Sequence, residues 1–421
     1  MVQKTTLNNG LRILTQTMPH THSVSVLFLV GVGSRYETDS EGGAAHFIEH
    51  LVFKGTKKRP TARAIAEAIE GVGGIFGAGT GRETTVFWAK VATPHLSIAL
   101  DVLVDMLRNA HFDAKELEKE AHVIVEEINL SLDSPSELVH LLAYEQLWPD
   151  HPLGRDIAGT RESVAALRRD VLLSYLARHY APNRTVISLA GNLEHEDIVA
   201  RLAEHLGDWC PTKAIAFQPS PDSFIEPRLN VHFRETEQAH IRISVPGLPL
   251  SHPDRFALRL LNVVLGEGMS SRLFQEIRER LGLAYSVDAF AEMLLDTGIV
   301  GMYAGVSPNQ AVNAVRALLA EWDRLRQEPV YESELYKAKE YLKGRMFLSL
   351  EDSAAYASWW GRQEVHNRPL EDPDEVVARL DAVRPQVIQA LAQRLFREQK
   401  LNLVVVGPFR EWTSFLSALR F

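Results

Sequence analysis

The most specific chemistry in this chain is carried by "HFIEH", residues 46–50. His46 and His50 are spaced i, i+4, so on a helix their imidazoles rise from one face and can reach a common ion. Glu49, three residues after His46, lies beside that face, where a carboxylate can hold and deprotonate a metal-bound water without itself ligating. Two neutral imidazoles and a carboxylate leave zinc one open position for water, whose pKa the ion brings down to about 7. Such a string also arises by chance on solvated helix surfaces, so its weight depends on a third ligand.

That ligand is expected in a helix beginning after Asp113, where "DAKE" reads as a capping box. Glu120 and Glu127 are seven residues apart and therefore only about 20° apart around a helix axis, on the face of Leu117 and Ile124. Two carboxylates in an apolar stripe are costly unless a cation pairs with them. Glu127 is assigned as the third ligand and Glu120 as the group that fixes the ligand set. Glu126 points away, toward solvent.

The rest of the chain must position these groups. Its 421 residues suit two domains, and 46% hydrophobic with 24% charged residues is the balance of an ordinary globular protein. A net charge of -9 gives no electrostatic reason to expect nucleic acid or an anionic membrane as partner. The longest apolar run, Val24 to Gly33, reads as a buried strand, not as a signal peptide or membrane span. The one cysteine, Cys210, excludes an intrachain disulfide and a thiolate cluster. The chain reads as cytoplasmic, with His and carboxylate as its only ligand types.

Two halves repeat each other. "TVISLAGN" ending in the turn at Gly191 is matched by "NLVVVGPF" with Gly407, 216 residues on, and "VFWAKV" ending at Val91 is matched by "GMYAGV" ending at Val306, 215 residues on. "SVSVLFLVG" from Ser23 is echoed by "HIRISVPG" from His240. Agreeing offsets in the same order predict one duplicated fold. The expected domains are 1–212, which carries the metal site, and 228–421, which does not, with the proline-rich 213–227 as linker. Helices are expected over 42–54, 61–71, 93–109, 114–131 and 163–179, then over 254–265, 270–281, 308–326, 332–350 and 375–396. Interleaved with β-rich segments, they predict an α+β fold, a mixed α/β sandwich in which each half lays helices on a largely antiparallel sheet.

The sequence resembles the inverzincin zinc peptidases, the pitrilysin and insulinase family, most closely small two-domain members such as the catalytic subunit of the mitochondrial processing peptidase and bacterial processing proteases. The resemblance runs through "NGLRI" at 9–13, "HFIEHLVFKGT" at 46–56, "RETTVFWAKV" at 82–91, "HVIVEEI" at 122–128, "HYAPNRTVISLAGNL" at 179–193 and "GMSSRLFQEIRERLGLAYSV" at 268–287. It implies His46, His50 and Glu127 as ligands of one Zn2+ per chain, Glu49 as general base and Glu120 as the second glutamate. It also implies that Arg278 and Tyr285 hold the scissile carbonyl oxygen, a role open to a cation and a phenol as donors. Substrate is expected to add as an extended strand near Ile75 to Thr80, with Gly77, Ala78 and Thr80 as contacts. Gly77 departs from the family's usual asparagine. The activity implied is zinc-dependent endopeptidase cleavage of unfolded peptides. Possession of both the zinc motif and the Arg278–Tyr285 pair implies a homodimer, with a heterodimer of related chains as the alternative assembly. A non-catalytic scaffold or partner subunit, and a metal-dependent hydrolase of another amide, are the competing readings; a scaffold has no use for Glu49.

Overall fold

Segments dense in β-branched residues pair into two sheets of closely similar order. A computed structural model describes residues 2–213, 215–221 and 225–421; residues 214 and 222–224, within the expected linker, lie outside the described residues. The first sheet runs β1-β2-β6-β3-β5-β4, built from β1 (Gln3–Thr6), β2 (Arg12–Thr17), β3 (Ser23–Val30), β4 (Ile75–Thr80), β5 (Thr85–Ala92) and β6 (Thr185–Gly191). The second runs β7-β11-β8-β10-β9, from β7 (Arg228–Phe233), β8 (Ala239–Pro246), β9 (Ala284–Met293), β10 (Gly298–Val306) and β11 (Asn402–Gly407). Each sheet has a single parallel pair, β2 with β6 and β7 with β11, at the equivalent place. The remaining pairs are antiparallel.

The first half contributes helices α1 (Ala44–Val52), α2 (Ala62–Glu70), α3 (Leu96–Asn109), α4 (Ala114–Asp133), α5 (Pro135–Leu147), α6 (Arg161–Ala166), α7 (Arg169–His179) and α8 (His195–Leu206). The second contributes α9 (Arg255–Gly266), α10 (Ala311–Gln327), α11 (Glu332–Ser349), α12 (Ser353–Val365), α13 (Pro373–Asp381), α14 (Pro385–Leu395) and α15 (Thr413–Ala418). Three expected helices differ in detail. The span 163–179 is broken at Leu167 and Arg168, whose extended backbone separates α6 from α7. The span 375–396 is broken before Pro385, which starts α14. Within 270–281, Phe274–Arg280 has π-helical hydrogen bonding.

The chain forms two compact units that do not follow one cut at the linker. One unit holds 1–129, 155–218 and 347–371; the other holds 130–154, 219–346 and 372–421. Two helices thus cross the expected division into 1–212 and 228–421. Helix α12, from the second half, packs on β3 and β6 of the first sheet through Ala357, Trp360 and Val365 against Leu27, Leu29 and Val186. Helix α5, from the first half, packs on β8 and β11 through Leu138, Val139 and Ala143 against Val404 and Val406. The two exchanged helices lie 218 positions apart, Pro135 corresponding to Ser353. The reason is burial: each sheet has a second apolar face to cover, and the helix covering it comes from the opposite repeat. No helix among the described residues is long and apolar enough to cross a membrane.

Candidate metal centre

Helix α1 is set in place from its N-terminus. Glu37, only 3% exposed, accepts from the backbone N–H of Gly43 at 2.9 Å and of Ala45 at 2.8 Å, satisfying donors that a helix start leaves free. Gly43 enters the helix at φ +90°, and a Cβ there would lie 2.5 Å from the Ala158 carbonyl oxygen, so only glycine fits. Buried Phe47, Ile48, Leu51 and Val52 then pin the helix, which leaves His46, Glu49 and His50 on the remaining face.

Helix α4 supplies the opposing carboxylates, and its start is capped by Asp113, which accepts from Lys115 N–H at 2.8 Å. Glu127 Oε2 lies 3.8 Å from both His46 Nε2 and His50 Nε2. One ligand atom from each of these three residues falls within 4.8 Å of the others. These separations are too long for hydrogen bonds, yet tetrahedral zinc with ligands at about 2.0–2.2 Å spaces its ligand atoms only slightly closer, about 3.4 Å. Glu126 is absent from the cluster and accepts instead from Asn129 at 3.4 Å.

The protonation states suit a cation. Burial, assisted by neighbouring His50, pushes the His46 imidazole down to about 4, so it is neutral near pH 7. Its buried Nδ1 has no hydrogen-bond partner among the described residues. His50 is oriented by Glu120, whose Oε2 lies 3.1 Å from His50 Nδ1, leaving Nε2 for Glu127's side. Such a carboxylate behind a histidine fixes both tautomer and ring direction. The donor set of two imidazoles and a carboxylate thus fits zinc.

Glu49 stands beside this set without joining it. Burial raises its carboxyl above the usual range, partly opposed by a hydrogen bond of 2.5 Å that it accepts from Thr80 Oγ1. A carboxyl raised in this way by burial is a group suited to proton transfer. Thr80, expected to contact substrate, donates its hydroxyl to Glu49 in the structure.

Among the described residues strand β4 is an edge strand, paired only with β5, and presents Ile75 at 58% exposure. Alternation places Gly77 on the opposite sheet face from Ala78 and Thr80. Gly77 faces Trp88 in register, and a Cβ at 77 would come 3.0 Å from the indole. An asparagine there would require the tryptophan to move, which gives the departure at Gly77 a packing cause.

Arg278 and Tyr285 belong to the other compact unit. The Arg278 guanidinium lies over the Tyr285 ring at 4.5 Å and donates to the Tyr285 carbonyl oxygen at 3.1 Å, while Tyr285 is 77% exposed. The structure therefore brings these two donors to each other on a surface. The helix of the second repeat corresponding to α1 is α9, whose "RFALRLLNVVLG" has no metal ligand. Sequence reasoning overlooked Glu37 and Lys54. Lys54 could have been found from its i+4 spacing to His50; for Glu37 no local pattern signals the contact.

The fold and the site define a duplicated α+β protein in which one repeat gathers His46, His50 and Glu127 and the corresponding helix of the other carries no such ligands. Residues 12–161 match the family description "Insulinase (Peptidase family M16)", and residues 166–342 match "Peptidase M16 inactive domain". The chain belongs to the insulinase family of peptidases, family M16. It is 37% identical to the "uncharacterized zinc protease" YmxG of Bacillus subtilis, over 97% of this chain and 98% of that one. A similarly named protein of Streptomyces coelicolor is 36% identical, over 97% of this chain and 90% of its own length. Among solved structures, a protease from Helicobacter pylori superposes with a TM-score of 0.91, covering 97% of this chain and 99% of that chain, at 22% identity. That last likeness speaks to the fold alone.

Proposed function

We propose that this chain is a zinc-dependent endopeptidase acting on unfolded peptides. The observation that carries the reading is the convergence of His46, His50 and Glu127 on one point with Glu49 beside it but outside the ligand set. Zinc, when held by those three residues, supplies a Lewis acid that acidifies a coordinated water and polarises a peptide carbonyl. Relatives named as zinc proteases support the choice of metal.

The chain's own groups do the rest. Glu49 takes up a proton on its carboxylate and later delivers it to the leaving amine, a role its burial-raised carboxyl suits. The free edge of β4 offers backbone groups to an extended substrate, which must be locally unfolded to pair there. Arg278 and Tyr285 are surface donors suited to a carbonyl oxygen that gains charge. We place them at the zinc site of a second copy in a homodimer, each copy completing the other. A role as scaffold or partner subunit is the second reading, and the gathered His46, His50 and Glu127 disfavour it, since a scaffold has no use for a ligand set with a carboxyl beside it.

The test is metal content and turnover in one variant. Purified chain should bind about one zinc, and Glu49→Gln should keep that zinc while cleavage of an unstructured peptide falls by about 10²–10⁴-fold. Substantial cleavage by Glu49→Gln would reject the mechanism. Equal rates on a folded domain and its denatured form would reject the substrate class.

A further inference from the structure

Glu120 is a buried carboxylate, 5% exposed, whose two oxygens have different partners. Oε2 faces His50 Nδ1 at 3.1 Å, and Oε1 accepts from Lys54 Nζ at 2.7 Å. Lys54 stands four residues beyond His50, where the chain keeps a turn at the end of α1 through Lys54 N–H donating to Leu51 O at 3.0 Å. The ammonium and the imidazole therefore reach the same carboxylate from one side of α1.

We propose that Lys54 is a positioning residue for the metal centre: by gripping one oxygen of Glu120, it fixes the other on His50 Nδ1 and so aims His50 Nε2 at the point it shares with His46 and Glu127. Two features distinguish this from an ordinary surface ion pair. The Glu120 side chain is 7% exposed, so water cannot readily replace the ammonium as partner of Oε1. A carboxylate with one contact can also turn about its terminal torsion, which is broad, whereas one gripped at both oxygens cannot. The Lys54 side chain also borders an open cavity of about 400 Å³ lined by Gly55, Pro60, Thr61 and His111, so a longer cation has room there.

The inference rests on the proposed zinc site, and a test on the full chain separates the two. Zinc affinity is measured by chelator competition, with circular dichroism to confirm folding. Lys54→Met should weaken zinc binding about tenfold, the lower end of what loss of an outer partner costs. Lys54→Arg, which retains a cation, should restore most of it. In a Glu120→Leu background Lys54→Met should add nothing further, because no acceptor for the ammonium remains there. In the cobalt-substituted protein, the visible absorption spectrum of Lys54→Met should shift toward that of Glu120→Gln. Should Lys54→Met fold poorly, Lys54→Gln carries the same comparison. Unchanged affinity, or an equal loss in both backgrounds, would overturn the proposal for Lys54 alone. A folded wild-type chain that binds no zinc would overturn the metal site and the proposal together.

Discussion

Thr80 Oγ1 donates to Glu49 Oε2 across 2.5 Å, tying the edge strand β4 to helix α1, which carries His46 and His50. The hydroxyl thus fixes the carboxylate that we assign as base. Thr80→Val should lower kcat on an unstructured peptide about 10- to 100-fold, as expected for loss of a hydrogen bond to a charged group worth about 1.5–3 kcal/mol. Thr80→Ser should keep most of the activity, and zinc content should not change. A kcat unaffected by Thr80→Val would show that Glu49 does not depend on this contact.

The two neighbouring glutamates of α4 should behave oppositely. Glu127→Ala removes one of three gathered atoms and should cost nearly all zinc binding, whereas Glu126→Ala should leave it within about twofold. Atomic absorption on the dialysed proteins decides between them. The reverse pattern would mean that the phase of α4 is wrong by one residue.

Acid should destabilise the fold through His179, which is 1% exposed and accepts from Arg184 Nη1 at 3.1 Å. Burial, with Arg184 and Arg178 adding to it, pushes this imidazole down to about 4 from 6.5. Between those values the unfolded chain binds the extra proton, so the stability involved is fully present above pH 6.5 and is lost as pH falls toward 4. It amounts to about 3 kcal/mol. Urea titrations at pH 7 and pH 4.5 should show the fall, and a folded His179→Gln variant should show less of it. An equal fall in that variant would assign the effect elsewhere.

Shared sites in a homodimer can be detected by complementation. Glu49→Gln and the double variant Arg278→Ala with Tyr285→Phe should each be nearly inactive. Mixed under subunit exchange, about half the dimers carry one intact site, and roughly a quarter of wild-type activity should return by that symmetry. No recovery, with exchange confirmed by labelled subunits, would reject the shared site.

The gathering of His46, His50 and Glu127 was largely legible because it depends on local helix phase. The i, i+4 histidines and the seven-residue spacing of Glu120 and Glu127 place these groups without knowledge of tertiary structure, but the expected burial of both carboxylates in an apolar stripe holds for Glu120 alone: Glu127, at the open end of the helix face, is 51% exposed. Long-range partners were not legible. Thr80 reaches Glu49 from 31 positions away, and Lys54 reaches Glu120 from 66 away, through the packing of separate elements. Helices α5 and α12 went unseen for a different reason. Only Glu137 and Glu145 of α5, and Arg362 of α12, are exposed, so neither helix shows the one-sided apolar stripe on which periodicity depends. The break between α6 and α7 leaves the apolar pattern nearly continuous across it, and periodicity read the two as one.

The exchange of α5 and α12 bears on how the protein can come into being. The last strand of the first sheet ends at Gly191, but the helix that seals its second face begins only at Ser353. A nascent N-terminal half leaving the ribosome therefore presents Leu27, Leu29 and Val186 uncovered until the C-terminal repeat has been synthesised. Trp360 and its neighbours each withhold about 1.5–3 kcal/mol of burial until then. The repeats cannot mature one after the other as independent beads. A gene cut at the linker yields two sticky fragments, each missing its sealing helix, that should become soluble when produced together and pull down one another.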